Sequence, residues 1–346
     1  MKAWRHLLLS FLVLSLPTQA LSAPGAGRRV QKRDVVPKGS WNARLLDSGS
    51  YRGALRRARQ VMRTEKGMIR LKRDLVTIVI PDLHGRRDYL ERVLKTKDRA
   101  TGKTYGTLLA EKQVQMVCLG DVMHTEVRGA QWRRGMSEKV MRAEMAESLG
   151  TLKRIAELKI ANPENFHMIR GNHDDVGSRG GKLVRQVDKT RGYLCTTLGN
   201  SLVKDLGRFF DALPVAAVGS NFFMAHANPM FPVTKKDIDQ RADAAAVSLT
   251  RTRLPTFNNL RRLHAGKSGD AAVSKLLTAV GADPKQAYYI HGHLWADPMA
   301  VEGQRVYFGH PRQQTFLRLD PNSKAPPWRQ LIDAKTGDTV HVEVNK

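Results

Sequence analysis

Asp82 and His84 sit in PDLHG at the end of the apolar run LVTIVI, where a carboxylate and an imidazole would be costly to bury without a partner. Four later segments repeat the arrangement. Asp121 follows an apolar run in LGDVMH, Asn172 and His173 lie in RGNHDD, His226 in MAHANP, and His291 and His293 in IHGHLW. Each group follows an apolar stretch and is bounded by small or turn-forming residues. Carboxylates, imidazoles and an amide oxygen are the donors that two neighbouring divalent cations require, with one carboxylate shared between them, and Asp121 is the natural bridge. A single histidine of this kind is more often a satisfied core residue than a ligand, but five clusters at successive strand ends are not explained that way.

The elements that must bring these groups together are short β-branched runs alternating with helical stretches, LVTIVI, DYLERVLK and VQMVCL among them. This pattern predicts a layered α/β fold with its ligands at the carboxyl ends of strands. In SEKVMRAEMAESLGTLKRIAELKIA, residues Met141, Met145, Leu149, Leu152, Ile155 and Leu158 recur three or four apart, the spacing of a helix with one face in the core. PVAAVGSNFFMAHANP reads as a hairpin, AYYIHGHLW as another strand end, VYFGH and TFLRLD as closing antiparallel strands, and DTVHVEV as an edge strand.

Across 346 residues, 58 Lys and Arg against 32 Asp and Glu give a net charge of +26, which favours anionic partners. Basic residues gather in the N-terminal part, where residues 24–70 read as an arm with one short helix around Arg52 to Met62. That arm is the expected contact for an anionic surface. Ahead of it, Lys2 and Arg5 precede an apolar run from Leu7 to Leu16 and then small residues, the pattern of a secretory signal over residues 1–23. The expected location is periplasmic or secreted, with no transmembrane span in the mature chain. The two cysteines, Cys118 and Cys195, read as buried apolar side chains rather than a disulfide. Residues 71–320 are expected to form the catalytic domain and 321–346 a tail.

The ordered set DxHG, GD, GNHD, HA and GH over residues 80–293 resembles the calcineurin-like metallophosphoesterase superfamily. RGNHD and the single histidine after Gly292 look most like its phosphoprotein phosphatase branch and bacterial relatives. The resemblance implies central mixed β-sheet layers flanked by helices, a four-layer α/β/β/α sandwich. It implies two divalent metal ions (Mn, Fe or Zn), one held by Asp82, His84 and Asp121, the other by Asp121, Asn172, His226 and His293. His173 would be the general acid for attack by a water activated between the metals, on a phosphorylated protein or small molecule.

Departures from the family pattern set further expectations. Many phosphodiesterases of the superfamily end in GHxH, whereas Trp295 stands where the second ligand would fall, which leaves His291 in a supporting or core place. GDVMHTEVRG replaces GDxxDRG, putting His124 and Thr125 where an Asp and an Arg are usual. Support for His173 is then expected from Asp174, phosphate contact from Arg128, Arg86 or Arg170, and a second-shell place for His124. Pro81 stands where the family has glycine. Two other readings remain open: a phosphodiesterase or nuclease, favoured by the charge, and a non-enzymatic envelope- or nucleic-acid-binding protein with a vestigial metal pocket.

Overall fold

An apolar run persists as a strand only where neighbours satisfy its backbone, and here two separate sets of runs do so. A computed structural model describes residues 48–125, 137–176, 185–229, 233–240, 249, 267–293, 299–309 and 314–342. These fall within one compact unit, Ser40–Lys346. The expected secretory segment, the arm up to residue 47, Arg128, Trp295 and residues 343–346 lie outside the described residues.

In chain order the elements are α1 (Ser48–Met62), β1 (Met68–Arg70), β2 (Val76–Ile80), α2 (Arg87–Lys95), α3 (Tyr105–Ala110), β3 (Val114–Cys118), α4 (Glu138–Ala161), β4 (Phe166–Met168), α5 (Arg185–Leu198), α6 (Asn200–Ala212), β5 (Ala216–Val218), β6 (Phe222–Ala225), α7 (Lys235–Asp239), α8 (Lys267–Ala279), β7 (Tyr288–His291), β8 (Met299–Glu302), β9 (Arg305–Phe308), β10 (Thr315–Leu319) and β11 (Leu331–Asp333). One sheet has the order β11-β10-β2-β3-β4 and the other β1-β5-β6-β7-β9-β8. In the first, β2, β3 and β4 run parallel, with Ile80 opposite Cys118 and Cys118 opposite Met168. In the second, β6, β7 and β9 run parallel, with Ala225 opposite His291. Each ligand-bearing segment therefore leaves its sheet at a strand's carboxyl end.

Strand alternation divides the apolar side chains among three clusters. From the first sheet, Ile78, Ile80, Met116 and Cys118 face a cluster that includes Tyr51 and Leu55 of α1 and Met145, Leu149 and Leu152 of α4. Their neighbours Val79 and Val117 join Met224 and Ile290 of the second sheet in a cluster between the sheets. Phe223 and Tyr289 turn the opposite way, onto Val273, Leu276 and Leu277 of α8. The layers are thus helix, sheet, sheet, helix, the expected sandwich. Each fully buried Leu or Ile contributes roughly 1.5–3 kcal/mol through apolar transfer. All six residues of the α4 stripe, Met141 to Leu158, are buried as their spacing predicts.

Four sequence expectations need revision. Residues 48–70, assigned to the basic arm, instead supply α1, which packs in the core, and β1, which pairs with β5 in the second sheet. VYFGH and TFLRLD are antiparallel strands only in part: β10 is antiparallel to both β2 and β11, whereas β9 is antiparallel to β8 but parallel to β7. In the tail, the edge strand is β11, and DTVHV touches it only by an isolated bridge between Ile332 and Thr339. Both cysteines are free, but Cys195 is half-buried rather than enclosed. No described helix is long and apolar enough to cross a membrane.

Candidate metal centre

The carboxyl ends of β2, β3 and β4 in one sheet and of β6 and β7 in the other bring the predicted residues into two groups. Ligand atoms of Asp82, His84 and Asp121 all lie within 4.8 Å of one another, and so do those of Asp121, His226 and His293. Asp121 belongs to both. Its Oδ2 is 3.9 Å from His84 Nε2 and 3.2 Å from His226 Nε2, so one oxygen faces both groups. Asn172 Oδ1 lies 2.9 Å from His226 Nε2, and His293 Nδ1 lies 3.2 Å from the same nitrogen.

Backbone carbonyls set the tautomers. His84 Nδ1–H donates to the His124 carbonyl at 2.8 Å, and His226 Nδ1–H to the Leu119 carbonyl at 2.9 Å, which leaves both Nε2 atoms turned toward Asp121. The carboxylates are held in turn by main-chain donors: the His173 amide donates to Asp121 Oδ1 and the His293 amide to Asp82 Oδ2, both at 2.8 Å. This closeness depends on glycine. A Cβ at Gly171 would stand 2.1 Å from Asp121 Oδ1, and one at Gly292 would stand 2.2 Å from Asp82 Oδ1.

The strand ends are also conformationally strained. Of the five non-glycine residues at positive φ among the described residues, four are His84 at 43°, Asp121 at 47°, His124 at 64° and His293 at 65°. Each such residue costs of order 1–3 kcal/mol, and this cost persists only where surrounding contacts impose it. Pro81, unexplained by the sequence, meets Gly309: a Cβ there would stand 2.6 Å from the proline Cβ.

The electrostatics fit a cation. Burial would raise the Asp121 carboxyl, yet the neighbouring imidazoles of His226, His173 and His84 hold it well below the usual carboxylate range. His226, despite burial, is raised well above the ordinary imidazole value by Asp121 and Asp82. Burial pushes His293 down to about 4 and His173 down to about 4. Asp82 Oδ1 is buried with no hydrogen-bond partner, and among the described residues no lysine or arginine pairs with Asp82 or Asp121. Two carboxylates thus converge with three imidazoles, and a cation that displaced the His226 proton would be held by all of them. The donor set of carboxylate oxygens, imidazoles and one amide suits borderline divalent ions.

Other expected residues fall elsewhere. Asp174 does not support His173: its carboxylate accepts from the amides of Asp121 (2.8 Å), Val122 (2.9 Å) and Gly171 (2.8 Å), tying the β3 and β4 loops together. Burial and the Asp121 charge push it up to about 7 against those donors. His173 lies with its Nε2 4.0 Å from Asp121 Oδ2 and its Nδ1 buried without a hydrogen bond. His124 is at hand instead, its ring 5.3 Å from that of His173. His291 is in neither ligand group; its ring packs on Tyr307 at 4.6 Å, Nδ1 meets the Gly292 carbonyl, and burial lowers it to about 3. Arg86 forks onto Asp88 with two 3.0 Å bonds, and Arg170 is engaged by Asp175 and Asp211 at 3.2 Å each. Missed altogether were Glu144 and Ser148 on α4, polar residues buried beside the methionine stripe, which bond to residues 124 and 125.

A protein serine/threonine phosphatase from Saccharomyces cerevisiae superposes with a TM-score of 0.52 at 15% identity, covering 80% of this chain and 84% of its own. A cold-active protein tyrosine phosphatase of a psychrophilic Shewanella matches over 76% of this chain and 83% of its own, at 12% identity and TM-score 0.35. No curated protein matches in sequence. The calcineurin-like phosphoesterase family model matches residues 75–316, which span every ligand position from Asp82 to His293 and most of the chain. With that match over most of its length, the chain belongs to the calcineurin-like phosphoesterases, hydrolases of phosphate ester bonds.

Proposed function

We propose that the protein is an exported, dinuclear phosphomonoesterase of the phosphoprotein phosphatase type, acting on a phosphorylated protein or small molecule. Asp82, His84 and Asp121 would hold one Mn, Fe or Zn ion, and Asp121, Asn172, His226 and His293 the other. The observation that carries this reading is Asp121 Oδ2, which faces the imidazoles of both groups at once. When bound, the two cations supply Lewis acidity, lowering the pKa of an attacking water and polarising the phosphoryl oxygens.

The chain's own residues do the rest. The carbonyls of His124 and Leu119 keep His84 and His226 in the ligating tautomer. Asp174 braces the loops that carry Asp121 and Asn172. His173 is the general acid; burial pushes its imidazole down to about 4 in the metal-free chain, so the proton it delivers to the leaving oxygen must be taken up together with the phosphate. Monoesters are favoured because only His293 follows Gly292 as a ligand. Export rests on Lys2, Arg5 and the apolar run after them.

The test is turnover of p-nitrophenyl phosphate against its bis ester, with metal content measured alongside. The monoester is expected to be the substrate, and His173→Asn to keep its metal while kcat drops by about 10²–10⁴-fold. Preference for the diester would move the protein to the phosphodiesterases, the reading that the +26 charge supports. A wild-type rate in His173→Asn would remove the general-acid role.

A further inference from the structure

Helix α4 lies outside the strand-end motifs, yet two of its buried polar residues reach the metal centre. The Glu144 carboxylate is wholly buried and accepts from both the amide and the hydroxyl of Thr125. One turn on, Ser148 Oγ accepts from the His124 amide at 3.1 Å. Residues 124 and 125 are therefore held by three hydrogen bonds from one helix face. They need holding, because His124 sits at φ 64°, a conformation unfavourable for any residue but glycine. From that position its carbonyl accepts from His84 Nδ1, and its ring stands edge-on to His173.

We propose that Glu144, assisted by Ser148, is a positioning residue of the centre: it fixes the 124–125 turn, and through the His124 carbonyl the orientation of the His84 ligand. The path runs from the carboxylate to the Thr125 main chain, across one peptide to His124, and into the imidazole of His84. In the second group, by contrast, His226 is oriented by the Leu119 carbonyl and the His293 amide is tied to Asp82. The effect of Glu144 should therefore be confined to one of the two cations. A residue needed only for packing would have no such preference.

This inference rests on the dinuclear reading above. Stepwise Mn(II) binding to the metal-free full chain, followed by calorimetry, separates the two, with His84→Ala marking which step belongs to the first cation. Glu144→Gln is expected to weaken that step by about 10–100-fold, the usual cost of losing a ligand's supporting bond, while the other step stays unchanged. Ser148→Ala is expected to weaken the same step by less. Thr125→Val should act like Glu144→Gln in part, and Thr125→Ser, which keeps both donors, should bind like the wild type. If Glu144→Gln does not fold, the Ser148→Ala and Thr125 pair decide the question. Equal weakening of both steps, or none in any variant, overturns the positioning role alone. A wild-type chain that takes up no more than one Mn(II) overturns the dinuclear reading and this inference together.

Discussion

Two regions of this molecule bury carboxylates against imidazoles, and they solve the same electrostatic problem in opposite ways. Near the start of β4, Glu65 meets His167 Nδ1 at 2.8 Å and the Lys159 ammonium, while Lys159 also donates to the carbonyls of Pro163 and Phe166 at 2.7 and 2.9 Å. The positive charge there belongs to the chain. Burial alone would raise the Glu65 carboxyl, but His167 and Lys159 hold it low. At the other end of the strand, Asp82 and Asp121 face four imidazoles with no lysine or arginine paired to them among the described residues. Positive φ marks this end as well, at His84, Asp121, His124 and His293. The first cluster holds its own cation; the second, with no lysine or arginine paired to it among the described residues, is the one we propose to hold metal.

If that contrast is right, the two clusters should respond differently to the same kind of injury. Lys159→Ala strips the ammonium from Glu65 while its His167 bond remains, so urea unfolding should show a loss of about 1.5–3 kcal/mol, the cost of one charged hydrogen bond. Its Mn(II) uptake should be that of the wild type. Loss of metal binding with unchanged stability would reverse the assignment of roles.

A pH series sharpens the same comparison. His167 is lowered from its ordinary value, chiefly by burial, so between its folded and unfolded pKa values the unfolded chain binds more protons. Stability from this group is present above about pH 6.5 and is lost as pH falls below it. In the metal-free protein, His167→Gln should therefore flatten the decline in stability between about pH 6.5 and 5. An identical slope in variant and wild type would show that His167 is not held neutral by the fold.

The smallest effect is expected at His291. Its Nε2 is buried without a hydrogen bond and its ring packs on Tyr307, so His291→Phe should alter stability by less than about 1.5 kcal/mol and leave metal content alone. A fall in bound metal would make it a ligand after all.

The strand-end clustering was legible because a carboxylate or imidazole at the end of a β-branched run breaks the apolar pattern at one definite position. Asp82, His84, Asp121, His226 and His293 all announce themselves in this way. Sheet membership was not legible: VYFGH and TFLRLD look alike as strings, and which partner each takes depends on residues more than 15 positions away, as with Tyr307 beside His291 and Leu317 beside Val79. Asp174 misled because adjacency to His173 in sequence suggested contact, whereas successive side chains in a tight loop point apart and its oxygens went to main-chain donors. Glu144 and Ser148 left a trace, a one-turn spacing of polar residues within a helix that buries them, but their partners lie around 20 residues upstream, at 125 and 124. The helix of α1 was visible, yet not its place in the core, since six arginines and lysines between residues 52 and 66 pulled the reading toward a solvated arm.

The central claim is that one carboxylate, Asp121, serves two cations. Metal analysis of purified wild type and Asp121→Asn, with turnover of p-nitrophenyl phosphate measured on the same samples, tests it most directly. The account predicts two divalent ions per wild-type chain, and in Asp121→Asn the loss of both together with the activity. A variant that keeps a full metal complement and wild-type turnover would contradict it.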